Sequence, residues 1–214
     1  MATLNRKLVL YSDQVIPENR EIDQRMLRLF SKHSPTIGYI PSSADPDRHW
    51  YEEKCRHYAD ADLGANLQPY FELDLNYDIM LLERLFACDG IHFSGGNTFY
   101  FLHWLRERDL LAPLKEYAYN GGVLIGVSAG AILMTPDISS ARLCGDEPGR
   151  YGGDTSSLGL VDFLFLPHYH PTQREALSAF QKGTRRTLYA CPDGGGIVVD
   201  GEDMELYGGV FRVE

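Results

Sequence analysis

Short apolar segments alternate along this chain with segments of helical spacing, and this alternation limits the possible folds more than any other feature. The predicted strands are residues 7–11, 36–40, 66–71, 90–93, 123–127 and 164–166. Strands that are separated by helices run parallel and are covered by helices on both faces. The sequence therefore predicts an α/β fold of three layers, with a mostly parallel sheet in the middle, as a single domain over residues 1–214.

Five segments with helical spacing fall between or after the predicted strands, and a sixth helix is predicted after residue 127, where Pro136 ends or kinks it. The predicted helices are residues 18–33, 45–63, 78–86, 97–117 and 172–182, and Pro113 is expected to break the fourth. Residues 142–157 are rich in Gly, Asp and Ser and are predicted as a long loop, which in a compact domain is often functional. The glycines at 194–196 and later turn signals predict short antiparallel strands at the end of the chain.

The charge balance argues against several classes of partner. The chain has 20 Lys and Arg against 30 Asp and Glu, a formal net charge of −10. Nucleic acids and anionic membrane surfaces attract basic faces, so neither is expected as a partner. The chain has no run of about 18 apolar residues, so no membrane helix is predicted. The first residues contain no secretory signal pattern, so a cytoplasmic protein is expected.

The spacing of the cysteines and the lack of known metal- or phosphate-binding motifs predict no metal and no cofactor. Four cysteines are spread widely without a C-x-x-C pair, which is typical of reduced thiols: Cys55, Cys88, Cys144 and Cys191. The zinc pattern H-E-x-x-H is absent, as are the phosphate-binding patterns G-x-G-x-x-G and G-x-x-x-x-G-K-[ST].

A serine between two glycines follows one of the apolar strand patterns. Residues 126–130 read G-V-S-A-G and match G-x-S-x-G, a sharp turn from strand to helix that presents a nucleophile. The glycines avoid steric clashes in such a turn, and the amide of Ala129 can bind a developing oxyanion. Ser128 is therefore the candidate nucleophile. The alternative is a buried serine that caps a helix.

A nucleophilic serine needs a base, and histidine is the first choice. His168 and His170 lie in L-P-H-Y-H-P, directly after a predicted strand and between two prolines. His168 is the candidate base because it leaves the strand first, and His170 is the alternative. Four of the other five histidines lie in polar helical segments and are expected to be solvated: His33, His49, His57 and His103. The fifth, His92, lies in a predicted strand and suits the core.

The third member of a triad is an acid that orients the histidine. We expect it in the 39 residues between Ser128 and His168, which contain Asp137, Asp146, Glu147, Asp154 and Asp162. Asp146 is the first candidate and Glu147 the second, because both lie in the glycine-flanked loop C-G-D-E-P-G, which can fold back over the strand ends.

A second glycine turn occurs in F-S-G-G-N-T-F at residues 93–99. Its amides can point towards an anion, and next to a serine nucleophile they would complete an oxyanion hole. Gly96 is the candidate donor and Gly95 the alternative. Asn97 or Thr98 is the candidate helix cap, and Asn97 is also a candidate substrate contact. The alternative is a plain turn that needs positive φ.

Three blocks together resemble one known family. F-S-G-G-N-T-F, G-V-S-A-G-A and L-G-L-V-D-F-L-F-L-P-H-Y occur in the order and spacing of peptidase family S51, over most of the chain. The family includes dipeptidase E, which removes N-terminal Asp from dipeptides, and cyanophycinase. The resemblance implies a fold like that of class I glutamine amidotransferases, with Ser128 as nucleophile and His168 as base.

The resemblance also bears on the acid and on specificity. G-D-E-P is the nearest counterpart of the family segment that carries the acid, which favours Asp146 and leaves Glu147 open. Dipeptidase E recognises Asp through a basic residue after the histidine, and the candidates here are Arg174, Lys182, Arg185 and Arg186. The implied function is a serine peptidase for short peptides, without a cofactor.

Two other functions remain open from the sequence. An esterase or acyltransferase would use the same triad, and a ligand-binding homologue would have lost catalysis. A homodimer could form through Leu110, Leu111 and Leu114, although core packing is the preferred explanation for these leucines.

Overall fold

Ten strands and seven α-helices make up the part of the chain that this computed structural model describes, residues 5–59 and 63–214. The strands are β1 (Lys7–Tyr11), β2 (Thr36–Ile40), β3 (Asn66–Tyr70), β4 (Gly90–Phe93), β5 (Val123–Val127), β6 (Leu164–Leu166), β7 (Leu188–Ala190), β8 (Gly196–Asp200), β9 (Asp203–Tyr207) and β10 (Phe211–Arg212). The helices are α1 (Arg20–Leu27), α2 (His49–Ala59), α3 (Leu82–Phe86), α4 (Thr98–Glu107), α5 (Leu111–Tyr119), α6 (Ala129–Leu133) and α7 (Arg174–Gly183).

The main sheet has the strand order β3-β2-β4-β5-β1-β8-β9. The first five strands in this order are parallel, and β8 and β9 extend the sheet in antiparallel fashion beside β1. A smaller sheet has the order β10-β7-β6, in which β6 and β7 are parallel. The predicted α/β fold with a mostly parallel sheet is therefore confirmed.

Helices cover both faces of the main sheet because side chains of each strand alternate between the faces. Along β1, Val9 packs with α1 and α2 in one buried cluster, and Leu8 packs with α4 and α5 in another. Strand β5 divides in the same way, since Ile125 joins the first cluster and Leu124 the second. The sheet is thus buried between two apolar layers. Polar residues that meet a ligand are therefore expected at the ends of the strands.

The helices are shorter than the sequence pattern predicts. Helix α1 ends at Leu27, where Arg28, Leu29 and Phe30 form tighter three-residue turns. Helix α2 starts at His49, and residues 60–62 of the helix predicted there lie outside the described residues. The fourth predicted helix is two helices, and the break is at Asp109, which has φ of 53°, and not at Pro113. Pro113 fits in the first turn of α5, where no helical amide partner is needed.

The leucines considered for a dimer contact belong mainly to the core. Leu110 and Leu114 are buried against α4 and the main sheet, while Leu111 is partly buried. A homodimer stays a prediction without support from these side chains. In the part of the chain that is described, none of the helices combines the length and the apolar composition that a bilayer crossing requires.

Candidate active site

Ser128 lies in a strained turn between β5 and α6. Its backbone has φ of 52° and ψ of −109°, which non-glycine residues rarely adopt. The Ser128 amide donates to the carbonyl of Tyr11 at 3.0 Å, at the end of the neighbouring strand β1. The side chain is partly exposed above the sheet edge, as expected for a serine that meets a ligand.

The two glycines that flank Ser128 make this turn sterically possible. A Cβ on Gly126 would lie 2.4 Å from the carbonyl carbon of Gly130, and a Cβ on Gly130 would lie 2.4 Å from the Phe93 carbonyl oxygen. Real Cβ atoms do not approach backbone so closely. The G-x-S-x-G spacing therefore reflects the close contact of α6 with the ends of β5 and β4.

Ser128, His168 and Asp193 form a continuous chain of hydrogen bonds. His168 Nε2 lies 2.9 Å from Ser128 Oγ, and His168 Nδ1 lies 2.6 Å from Asp193 Oδ1. With Nδ1 protonated towards the carboxylate, Nε2 is the acceptor for the serine hydroxyl. This arrangement of nucleophile, base and acid is what activation of a serine requires.

The smaller sheet brings His168 and Asp193 together. Strands β6 and β7 are parallel neighbours, so the segments after Leu166 and Ala190 leave the same edge. The pairing continues past the strands, because Cys191 N donates to Leu166 O at 2.8 Å and Tyr169 N donates to Cys191 O at 3.0 Å. Two segments far apart in sequence therefore place a base and an acid side by side.

The structure places the predicted acids elsewhere. Asp146 Oδ2 accepts from the Thr98 amide at 2.7 Å, and the Glu147 carbonyl accepts from Asn97 Nδ2 at 3.0 Å. Neither residue contacts His168 within the described part of the chain. The expectation that Asp146 or Glu147 lies at His168 is not met, since their loop folds onto the start of α4 and the segment after β7 places the Asp193 carboxylate at His168.

The Gly-Gly turn lies directly against Ser128. A Cβ on Gly95 would lie 3.6 Å from the Ser128 Cβ, and Gly96 has φ of +131° with Ser42 filling the space where a Cβ would be. Within residues 5–59 and 63–214, neither the Gly96 nor the Ala129 amide donates to a protein acceptor. Both amides are therefore free for a developing oxyanion beside Ser128.

Ser94 fixes the Gly-Gly turn to its surroundings. Its hydroxyl accepts from Ser42 N at 2.7 Å and donates to the Gly95 carbonyl at 2.8 Å, and its carbonyl accepts from Gly130 N at 3.1 Å. Asp146 holds the other end of the turn through Thr98. The turn is thus clamped between β2, α6 and the 145–147 loop.

A recess of about 480 Å³ opens beside this turn. Its lining residues include Gly95, Gly96 and Val127 next to the serine, and Tyr39, Trp50 and Lys54 further out. The Lys54 ammonium donates to the Gln14 carbonyl at 2.9 Å, and burial lowers the pKa of this amine. A larger recess of about 590 Å³ includes Lys7 and Val123 and lies at the opposite edge of the sheet.

His92 forms the floor of the recess as a neutral core histidine. Its ring stacks on Tyr39 with centroids 5.1 Å apart, and its Nδ1 lies 2.9 Å from the Tyr58 hydroxyl. Burial holds the pKa of His92 well below its usual value, and the nearby Lys54 and His57 lower it further. The residue is therefore part of the packing beneath the recess.

The other predicted contact residues fall away from the recess. Arg174 and Lys182 are exposed on α7 and do not line it, nor do Arg185 and Arg186 just after that helix. Asn97 accepts from Tyr100 N at 2.9 Å as the cap of α4, while its amide group donates to Glu147. The expected helix cap is thus present, whereas the substrate contacts predicted for Arg174, Lys182 and Asn97 stay untested. His170 instead bonds to Thr172, 2.9 Å away.

Metal ligands and reactive thiols are not features of the described residues. They contain no group of three His, Cys, Asp or Glu that could hold a metal ion. All four cysteines are free thiols. Burial raises the pKa of Cys144 to about 12 and raises that of Cys191 as well, so both thiols near the site stay protonated.

Asp193 and Lys54 escaped the sequence analysis for different reasons. The acid was sought between Ser128 and His168, whereas Asp193 follows His168 in C-P-D-G-G-G. A signal was present, because an apolar strand, a proline and a polar residue occur both in L-P-H and in A-C-P-D. Lys54 gave no signal, since it lies in a polar helix that reaches the site only through packing.

The comparisons with known proteins all find peptidases. The sequence profile described as peptidase family S51 matches residues 8–207. An uncharacterized peptidase of Pasteurella multocida, PM1590, is 31% identical over 140 residues, which is 63% of this chain and 65% of that protein. A Peptidase E of Salmonella arizonae is 37% identical over 105 residues, 49% of this chain and 43% of that protein. The chain therefore spans less than two thirds of the length of these two relatives.

Solved structures agree on the fold. A crystal structure of a candidate Peptidase E from Listeria monocytogenes superposes with a TM-score of 0.75 at 22% identity, over 98% of this chain and 99% of that one. A peptidase from an acI-B1 Actinobacterium superposes with a TM-score of 0.69 at 17% identity, over 100% and 96% of the two chains. At these identities the likeness concerns the fold.

Proposed function

The chain belongs to peptidase family S51, and from this premise we propose that it is a serine peptidase that hydrolyses short peptides through Ser128, His168 and Asp193. The observation that carries the proposal is the continuous hydrogen-bonded chain, 2.9 Å from Ser128 Oγ to His168 Nε2 and 2.6 Å from His168 Nδ1 to Asp193 Oδ1.

The proposed reaction has two halves. Ser128 Oγ attacks the carbonyl carbon of the scissile bond while His168 Nε2 takes the hydroxyl proton. The tetrahedral oxyanion is bound by the amides of Gly96 and Ala129, and its collapse breaks the C–N bond as His168 returns the proton to the leaving amine. A water molecule then gives a proton to His168 and attacks the acyl ester. The C–Oγ bond breaks, His168 returns the proton to Ser128 Oγ, and the acid is released.

Asp193 stabilises the imidazolium that forms in both halves. Its carboxylate accepts from Nδ1 and so keeps Nε2 directed at Ser128. The Gly-Gly turn supports the oxyanion because it is held from both ends, by Ser94 and by Asp146. No step requires a metal or an organic cofactor.

Lys54 supports a preference for an acidic side chain next to the scissile bond. The recess that contains Lys54 begins at Gly95, Gly96 and Val127, so it adjoins the acyl group on Ser128. Among residues 5–59 and 63–214, Glu53 has the only carboxylate within 4.0 Å of the Lys54 ammonium, and the Lys54 side chain is largely buried. A substrate carboxylate would gain a charge-assisted hydrogen bond there. We therefore place N-terminal Asp dipeptides first among the substrates.

The test is a panel of dipeptides, with X-Leu and Asp-X series, on the wild type and on Ser128→Ala. We expect cleavage that falls by at least about 10³-fold in Ser128→Ala, because the covalent path is lost. Ser31→Ala, at the opposite edge of the sheet, is the matched control and should keep wild-type rates. Equal activity in all three proteins would refute a mechanism through Ser128.

The esterase alternative is decided in the same assay. Hydrolysis of p-nitrophenyl esters without cleavage of any peptide would support an esterase or acyltransferase on the same three residues. A folded protein in which no serine-directed phosphonate labels Ser128 would support a non-catalytic homologue instead.

The specificity proposal has its own test in Lys54→Met. We expect kcat/KM for Asp-Leu to fall by about 10-fold or more, because a charge-assisted hydrogen bond contributes about 1.5–3 kcal/mol. The value for Leu-Leu should change by less than about 3-fold. Lys182→Met on α7 is the matched control, and a selective loss there instead of at Lys54 would support the basic residue after His168.

A further inference from the structure

The end of strand β1 contacts every segment that carries a member of the triad. The Tyr11 carbonyl accepts from the Ser128 amide at 3.0 Å, which ties the serine turn to β1. Ser12 N donates to the Gly195 carbonyl at 3.0 Å, and Asp13 Oδ1 accepts from Gly194 N at 2.7 Å. The loop that carries Asp193 is therefore fixed to β1 on its C-terminal side.

The Ser12 side chain connects the base and the acid directly. Its Oγ accepts from the His168 backbone amide at 2.7 Å. The same atom lies 3.0 Å from Asp193 Oδ1 and 3.1 Å from the Cys191 carbonyl, so its single proton is directed at these two acceptors. The carboxylate is the stronger acceptor because it is charged.

Ser12 is buried, whereas the side chains of His168 and Asp193 are exposed. Ser12 is 0% exposed, while the side chains of His168 and Asp193 are 40% and 59% exposed. Within the described residues, the Asp193 carboxylate has hydrogen bonds to His168 and Ser12, both on Oδ1. An exposed carboxylate keeps its rotational freedom unless a rigid group holds it. Of the two residues that bond to the Asp193 carboxylate, Ser12 is buried and His168 is exposed.

The backbone of His168 also needs a holding group. It has φ of 54°, a left-handed conformation that is costly for a residue with a Cβ. The hydrogen bond from its amide to Ser12 Oγ is made in this conformation and stabilises it. One hydroxyl thus fixes the backbone of the base and the carboxylate of the acid at the same time.

We propose that Ser12 is a positioning residue that holds His168 and Asp193 in line with Ser128. The proposal rests on the function proposed above for the three residues, to which it adds a fourth. Ser12 touches neither the substrate nor the reacting atoms. It acts through the orientation of the imidazole, so it affects the chemical step more than substrate binding.

The test compares Ser12→Ala with Ser157→Ala, a control that removes a buried hydroxyl bonded to the Leu133 carbonyl at 2.8 Å. Loss of a supporting hydrogen bond to a site residue typically costs about 10- to 100-fold in activity. We expect kcat of Ser12→Ala to fall by this factor while KM stays within about 2-fold, and Ser157→Ala to keep the wild-type kcat.

A second readout does not depend on activity. We expect the proton between His168 Nδ1 and Asp193 to give a far-downfield signal in the proton NMR spectrum, which its absence in His168→Ala would identify. We expect Ser12→Ala to broaden or shift this signal, and Ser157→Ala to leave it unchanged. Should no peptide be cleaved by the wild type while Ser12→Ala still alters the signal, the proposed function fails and the role of Ser12 stands.

The opposite result is equally clear. Wild-type kcat together with an unchanged signal in Ser12→Ala would overturn the positioning role and leave the peptidase proposal intact. If Ser12→Ala does not fold, Ser12→Cys replaces it, since a thiol of similar shape forms weaker hydrogen bonds. A kcat and a signal equal to wild type in Ser12→Cys would then refute the proposal.

Discussion

At the residue scale, the candidate site depends on two residues with unfavourable backbone conformations. Ser128 and His168 both have positive φ, 52° and 54°, although neither is glycine. Such residues persist only where the surroundings fix them, and they are often found at functional sites. Here the end of β1 supplies the fixing contacts, through the Tyr11 carbonyl and the Ser12 hydroxyl.

The identity of the acid leads to a residue-scale prediction. Asp193→Asn removes the charge that stabilises the imidazolium and lets the ring adopt the wrong tautomer, so kcat should fall by about 10²- to 10⁴-fold. Asp146→Asn is the matched control, because its side-chain oxygen can still accept from the Thr98 amide. We expect its kcat to stay within about 10-fold of wild type. Steady-state kinetics on one dipeptide measures both, and a larger loss in Asp146→Asn would return the acid to the 145–147 loop.

At the element scale, the turn between β5 and α6 depends on contacts among three elements. Gly126 is the penultimate residue of β5, Gly130 lies in α6, and Phe93 ends β4. The backbone atoms of these elements are too close for any side chain at the two glycine positions. The motif is therefore a packing requirement of the fold as much as a requirement of catalysis.

Gly126→Ala tests this packing. The added Cβ would lie 2.4 Å from backbone atoms of Gly130, so the turn must shift, and we expect the free energy of unfolding to fall by about 1–3 kcal/mol or more. Gly153→Ala, with nothing within 4 Å of its Cβ, should change it by less than about 0.5 kcal/mol. Urea denaturation of the two variants gives the comparison, and equal stability would show that the turn has room to relax.

At the scale of the whole molecule, a buried neutral histidine couples stability to pH. Burial keeps the pKa of His92 well below the ordinary value of 6.5. Below about pH 6.5 the unfolded chain therefore binds a proton that the folded chain does not, and stability decreases as the pH falls. The contribution is fully present above pH 6.5 and is lost by up to about 1.4 kcal/mol per pH unit below it.

His92→Phe removes this contribution and keeps an aromatic ring against Tyr39. We expect its free energy of unfolding to decline less steeply than that of wild type between about pH 6.5 and pH 5. His33→Gln, an exposed histidine outside the core, is the control and should follow the wild-type slope. Urea titrations at four pH values measure the slopes, and parallel curves for wild type and His92→Phe would contradict the prediction.

Some expectations for the whole molecule remain predictions. The cytoplasmic location rests on the distribution of the cysteines, and the homodimer rests on leucines of which two are buried. The absence of nucleic-acid and membrane partners rests on the net charge of −10.

The sequence by itself determined the layers of the fold, and it pointed to the two residues that we propose as nucleophile and base. A short apolar segment is a local feature of the sequence. Such segments therefore predicted β1, β2, β4, β5 and β6 with the bounds that the structure has. The sequence pattern was less successful at helix ends, because turns such as those after Leu27 and at Asp109 depend on local hydrogen bonds and on φ. Ser128 and His168 were accessible because each follows a strand within a short, unusual motif.

Only the tertiary structure decided which residues complete the site. Asp193 reaches His168 because β6 and β7 pair in parallel, and Ser12 reaches both because β1 lies between β5 and β8. Lys54 and the Gly-Gly turn meet at one recess because α2 and β4 pack at the same edge. Strand order and register set these distances, and neither is written in the spacing of residues along the chain.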